Sequence, residues 1–191
     1  AGSIGGNVSG STTICGGPNS TATLVLTGNR GQVLRWERST NDFATFDVLT
    51  QQGNVLELSN LTQRTSIRAV VRDGSCQEAV SGLATIDVVM PVAPAEAGPD
   101  RTICSDRVVL TGSPAGGNAT ALWNIVSQPV GGTANLIPNG NSLEIRDLTT
   151  PGDYEVDYTI DNGICGSTSD RVRITVANGA ICPGNSFPAA F

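Results

Sequence analysis

One pattern occurs twice in this chain. An alternating stretch runs into a polar turn and then a cysteine: AVVRDGSC, residues 69–76, and YTIDNGIC, residues 158–165. Upstream of each, another cysteine closes the phrase Thr-Ile-Cys, at Cys15 and at Cys104. The separations 15 to 76 and 104 to 165 are both 61 residues. Equal spans with matching ends are an internal repeat. The 191 residues therefore divide into two units of roughly ninety residues, a common domain size.

The pattern inside each unit is that of short strands. In ATLVLTG, residues 22–28, Ala22, Leu24 and Leu26 share one face at a period of two, and RVVLTG, residues 107–112, repeats the phrase. QVLRWER, residues 32–38, alternates Leu34 and Trp36 against Val33, Arg35 and Glu37, which makes Trp36 a core candidate. Trp123 stands at the matching place in a strand over residues 119–126. TSIRAVVR, residues 65–72, puts Ile67, Ala69 and Val71 on one face. LELSNLT, residues 56–62, is echoed by LEIRDLT, residues 143–149. A strand over residues 130–137 is weakly specified, because Gly131 and Gly132 interrupt it. Tyr154, Val156, Tyr158 and Ile160 point inward along residues 153–161, and Val172, Ile174 and Val176 along the last strand. About seven short strands per unit, with turn signals between and no helical period, predict an all-β fold of two tandem β-sandwiches.

The expected boundaries follow. Residues 1–90 form the first sandwich and residues 101–178 the second. Residues 91–100, PVAPAEAGPD, are a linker stiffened by Pro91, Pro94 and Pro99. Residues 179–191 begin a third repeat or are a tail exchanged with a neighbour, since AICPG repeats the Thr-Ile-Cys phrase imperfectly.

Composition narrows function. There is no His, which removes the usual general base and the usual zinc ligand. All eleven basic residues are Arg, so no lysine Schiff base or Lys–Asn isopeptide bond can form. The net charge of −6 speaks against nucleic acid or an anionic membrane surface as partner. No apolar run approaches the roughly 20 residues of a membrane span, and no signal peptide is seen, so the sequence reads as a mature or excised fragment. Cysteines without any Cys-x-x-Cys cluster read as disulfides of an oxidising compartment rather than a metal site. The matched flanks pair Cys15 with Cys76 and Cys104 with Cys165, as bridges near the edge of each sandwich. Cys182 is then left for a partner in a following repeat or another subunit.

Three phrases, TTICGGPNS, VLRWERSTNDF and LTQRTSIRAVVRDGSCQ, resemble the Ig-like repeats of very large Bacteroidota cell-surface proteins. These include gliding-motility adhesins exported by type IX secretion. AEAGPDRTIC, ALWNIVS and LTTPGDYEVDYTIDNGIC are similar to the PKD-like repeats of the same proteins. The resemblance covers nearly the whole chain. It implies a non-enzymatic structural or adhesive module, extracellular and at the cell surface, acting as a semi-rigid stalk. It offers no catalytic residues to carry over, and the sorting domain of such cargo is not seen, as expected of an internal fragment.

The remaining candidates are few. Trp36, Trp123 and Tyr158 are read as core, the tryptophans in preference to sugar-stacking platforms. Glu155, Asp157 and Asp161 on the acidic strand, and Asp100 and Asp106 around Cys104, are the candidate calcium ligands, since calcium needs several converging oxygens. No cofactor is otherwise expected. Glu155 and Asp157 lack the buried, perturbed member that a glycosidase pair requires. The expected partners are adjacent repeats of the same protein or neighbouring subunits, with surface polysaccharide as a further ligand. Alternative readings are a subunit of an extracellular filament, assembled through the glycine-rich first strand or the tail SFPAAF, and a glycan-binding module.

Overall fold

The computed structural model describes residues 2–178; Ala1 and residues 179–191, including Cys182, lie outside them. The chain divides into two compact units, residues 1–91 and 92–191. Among the described residues the ordered elements are strands, apart from one 3-10 turn at Gly163–Cys165.

The first unit contains β1 (Asn7–Ser9), β2 (Thr12–Cys15), β3 (Thr21–Thr27), β4 (Gln32–Ser39), β5 (Asp47–Leu49), β6 (Val55–Ser59), β7 (Thr65–Arg72), β8 (Ala79–Val80) and β9 (Ala84–Val89). One sheet runs β1-β3-β6 and the other β2-β9-β7-β4-β5, with β8 also on β7. Gly10, at φ 109°, lies between β1 and β2, where the opening segment passes from one sheet to the other. β2 pairs with β9 in parallel, Thr12 opposite Ile86 and Cys15 opposite Val89. Leu24, Leu26, Trp36, Leu56, Ile67, Ala69 and Ile86 fill the space between the sheets.

Strict alternation along β4 fails at one point. A bulge between Val33 and Arg35 shifts the register against β7. Val33 and Trp36 therefore share the core, while Leu34 is only half-buried. The extra residue of a bulge reverses the side-chain faces beyond it, which no period-two count can foresee. Glu37, on the face opposite Trp36, is almost wholly buried beneath Arg35 and Arg68.

The second unit contains β10 (Arg101–Ile103), β11 (Val108–Thr111), β12 (Thr120–Ser127), β13 (Asn135–Asn139), β14 (Ser142–Arg146), β15 (Gly152–Asp161) and β16 (Ser167–Val176). Its sheets run β11-β14-β13 and β10-β16-β15-β12. β10 again pairs in parallel with the closing strand, Arg101 opposite Ile174. The units differ in their middle strand: β5 pairs with β4, whereas β13 pairs with β14 in the opposite sheet. The expected strand over residues 130–137 is displaced to β13. Val130 is fully exposed, and Gly132 N–H closes a turn onto the Pro129 carbonyl at 2.8 Å. Tyr154, Val156, Tyr158, Ile160, Val172, Ile174 and Val176 form the core with Leu110, Leu143 and Leu148.

The linker is shorter than its composition suggests. Ala95 and Ala97 are buried in the second core. Ala95 N–H donates to Thr168 Oγ1 at 2.8 Å and Ala97 N–H to Asp170 Oδ2 at 2.7 Å, while Ser113 Oγ receives the Glu96 N–H. Small side chains between prolines let this extended segment lie flat on the sandwich. Proline richness marked its conformation but not its burial.

Candidate functional site

Cys15, Cys104 and Cys165 are disulfide-bonded. The strand registers place the two cysteines of each expected pair at opposite ends of a sandwich. Cys15 lies level with Val89, three residues past the Ile86–Thr65 pair at the start of β7. Cys76 follows the far end of β7, in a turn closed by its own N–H on the Asp73 carbonyl at 3.0 Å. Ten strand positions at a rise of about 3.3 Å put them roughly 30 Å apart. Cys104 follows Ile103, which is level with Val176 and Gly152, and Cys165 lies beyond the Asp161–Ser167 pair at the other end of the same hairpin. That separation is again roughly 30 Å. Disulfides need Cα atoms within about 7 Å. The pairings Cys15–Cys76 and Cys104–Cys165 are therefore corrected. Matched spacing identified a repeat, and spacing alone says nothing of which end of a strand a residue occupies. Cys182 lies outside the described residues.

The aspartates considered for calcium do not converge. Asp157 is held by Arg171 through Oδ1 at 2.7 Å and Oδ2 at 3.1 Å. Asp161 Oδ1 accepts the Gly163 N–H, and Asp100 Oδ1 accepts the Arg173 N–H, both at 2.8 Å. Asp106 pairs loosely with Arg107 at 3.7 Å. Among the described residues no three Asp, Glu, Cys or His side chains form a group that could hold a metal ion. The Arg171 guanidinium holds the Asp157 carboxyl below its ordinary value, chiefly through that hydrogen bond. Trp36, Trp123 and Tyr158 are buried, so neither tryptophan offers a face to a sugar.

The built surface feature is the segment between β4 and β5. Buried Ser39 organises it: Oγ accepts the N–H groups of Asn41 and Phe43 and donates to the Thr45 carbonyl at 2.7 Å. Asn41 Oδ1 in turn accepts the Thr45 N–H at 3.0 Å. Asp42 and Phe43 are both in left-handed backbone, φ 54° and 63°. Such conformations cost on the order of 1–3 kcal/mol each and are held only where neighbours enforce them. Under the loop, Glu37 takes Arg35 at 2.8 Å and Arg68 at 2.6 Å, and the Arg68 guanidinium lies 4.1 Å from the centre of the Phe43 ring. Glu37 keeps Arg35 firmly charged. The result is a fixed loop presenting Phe46, 47% exposed, at the rim of a recess of about 350 Å³. Arg38, Asp47, Asn60, Thr62 and Gln63 line the rest. An exposed ring beside guanidinium, carboxylate, amide and hydroxyl groups can take one apolar face and several hydroxyls of a ligand. Sequence reading missed this loop, because its organiser is one serine among many.

Comparison with known proteins bears on the fold. Residues 4–90 match a family described as a domain of unknown function (DUF8696). No curated protein matches the chain. Among solved structures, immunoglobulin domains 1–4 of Sidekick-1 superpose with a TM-score of 0.53 at 16% identity, over 92% of this chain and 48% of that one. Extracellular domains 3–5 of Drosophila OTK give 0.51 at 18% identity, over 92% and 60%. The likeness is one of fold: tandem β-sandwiches of the immunoglobulin-like kind. A chain from the crystal structure of a mouse coronavirus receptor-binding domain with its murine receptor gives 0.52 at 14% identity, over 88% and 98%. The protein thus spans about half the length of the Sidekick-1 chain and three-fifths of the OTK chain.

Proposed function

We propose that this chain is a non-enzymatic, load-bearing module of an extracellular surface protein, of the kind found in the stalks of Bacteroidota adhesins. The observation that carries the reading is the parallel pairing of the opening and closing strands in each unit, β2 with β9 and β10 with β16. Tension along the chain drags the opening strand one way and the closing strand the other. In a parallel pair these directions oppose each other along the ladder. The hydrogen bonds then share the load in shear instead of parting one after another. The two resolved cores and the Arg-only, lysine-free surface suit a passive extracellular element.

Single-molecule stretching of the whole chain with its disulfides reduced tests this. Pulling through the termini should give two cooperative unfolding steps, each at several-fold higher force than pulling through a residue that peels β5 from β4. Equal forces in the two geometries would remove the load-bearing reading.

The recess beneath Phe46 favours a second reading, recognition of a surface polysaccharide, which is compatible with the first. Strand exchange through the N-terminal segment has less support, since β1 already completes its own sheet against β3.

A further inference from the structure

We propose that the second sandwich binds a second copy of this chain edge to edge along β12, the two strands running antiparallel about a two-fold axis at Leu122.

The short β8 aside, the sheets of the described residues end on β1, β6, β2 and β5 in the first unit and on β10, β12, β11 and β13 in the second. The unpaired N–H and C=O groups of an edge are a template for another strand, and proteins blunt them with short strands, charge or proline. Seven of these edges follow that rule. They are three to five residues long. β5 also carries Asp47, β6 Glu57, β10 Arg101 and β13 Pro138. β12 does not follow it. It runs for 8 residues, TALWNIVS, without a charge or a proline, and its one irregularity is the bulge after Ile125. Leu122 on its outer face is 64% exposed.

The first unit shows what covers such an edge. There β5 pairs with β4, Trp36 opposite Leu49, and Trp36 Nε1 donates to the Gly53 carbonyl at 3.1 Å. In the second unit the middle strand β13 joins β14 instead, so β12 has β15 alone beside it. Trp123 Nε1 is buried and finds no hydrogen-bond partner among the described residues, although buried indole N–H groups usually have one. The place that β5 fills in the first unit is therefore open in the second.

The sequence of β12 is its own complement. Antiparallel pairing about Leu122 sets Leu122 against its copy, Thr120 against Asn124, Ala121 against Trp123 and Ala119 against Ile125. Residues directly opposite share a face. On the outer face two exposed leucines meet, and hydroxyl meets amide. On the inner face each large side chain meets an alanine, the large-against-small arrangement that packs well. Positions 119–125 all precede the bulge, and no charge opposes another. β6 paired in the same way about its centre would set Glu57 against Glu57, which is destabilising. So short a contact falls well below the roughly 20–30 residues a side of a standard interface, so the dimer is reversible. This holds whether or not the module bears load.

Sedimentation of the full chain over a concentration series tests the pairing. A monomer–dimer equilibrium that reductant does not change is expected. Leu122→Lys sets two ammonium groups opposite each other and should weaken the dimer at least about tenfold, as Leu122→Glu should with two carboxylates. The side chain is largely exposed, so both variants should melt with the parent at dilutions where all are monomers. A one-to-one mixture of the two variants should regain the dimer, since opposite charges then face each other. A parent chain that stays monomeric throughout overturns the proposal, and protected amides at positions 119–125 in that monomer would assign the edge to another segment of the same chain. A dimer that persists in Leu122→Lys, or one that the mixture fails to restore, overturns it as well.

Discussion

Arg68 donates to Glu37 at 2.6 Å while its guanidinium plane covers the Phe43 ring at 4.1 Å. One side chain thus joins a buried charge on β4 to a strained loop on the surface. Glu37 is almost wholly buried, and the two arginines it holds are a quarter to a third exposed. Removing a buried partner costs about 3–5 kcal/mol, and partial exposure of the arginines places this case at the lower end. Glu37→Ala should lower the unfolding free energy by about 3 kcal/mol, read from urea midpoints. It should also release the loop, seen as faster amide exchange at Phe43 and Thr45. An unchanged midpoint would mean that the triad contributes nothing net.

Gly28 and Gly112 both end the phrase Leu-Thr-Gly, for different reasons. Gly28 has φ 69° and open space around it. At Gly112 a Cβ would lie 2.5 Å from Cε1 of Tyr158. Gly28→Ala should therefore cost about 1 kcal/mol in backbone strain. Gly112→Ala should cost about 1–3 kcal/mol by overpacking, and it should also perturb the Tyr158 fluorescence. Calorimetric midpoints of the two variants separate these causes.

Tyr158 donates its hydroxyl to the Ser113 carbonyl at 2.6 Å, with its ring 4.4 Å from that of Trp123. Burial pushes its phenol above the ordinary value. The neutral form is the one favoured by folding. Its contribution is complete below the unfolded value of about 10 and is lost as pH rises through the higher native value. Tyr158→Phe should cost about 1 kcal/mol at neutral pH and flatten the alkaline limb of the stability profile. An identical alkaline limb would assign that loss to other groups.

The repeat, the strand positions and the aromatic core were legible because alternation is a local signal that burial enforces. The phrases LELSNLT and LEIRDLT even share backbone geometry: Asn60 and Asp147 sit at φ 57° and 63°, and Leu61 and Leu148 behind them are buried. What escaped depended on register. The bulge between Val33 and Arg35 put Val33 in the core in place of Leu34, and parallel pairing sent Cys15 to the end of the sheet opposite Cys76. The site at Phe46 escaped because positive φ at Asp42 and Phe43 is imposed by Ser39 and carries no signature of its own.

Asp157 is paired with Arg171 through both carboxylate oxygens. Its native carboxyl lies below the unfolded value of about 3.9. The stabilisation is therefore full above that value and fades as pH falls through the native one. Half of the Arg171 side chain is exposed, so Asp157→Asn should cost no more than about 1 kcal/mol. Millimolar calcium should leave the melting temperature of the full chain unchanged. A rise with calcium that vanishes in Asp157→Asn would instead show an ion competing with Arg171.

Phe46 separates recognition from support. Its ring is 47% exposed and stands 6.5 Å from Phe43, at the rim of the polar recess. Arg68 lies 4.1 Å from the Phe43 ring and 5.5 Å from that of Phe46. Phe43 is thus the ring that secures the loop, and Phe46 is the one offered outward. Phe46 is the more distant of the two rings on Arg68, and losing such an exposed cation–π contact costs no more than about 1 kcal/mol. Losing a stacking face in a small site removes most of the affinity. Phe46→Ala should therefore melt within a few degrees of the parent protein and lose at least tenfold in binding to any polysaccharide that a glycan array identifies. Gln63→Ala, at another residue lining the same recess, should weaken the same ligand without changing which glycans are selected on the array. Polysaccharide binding that survives both substitutions would place recognition elsewhere on the sandwiches and leave this loop with a purely structural part.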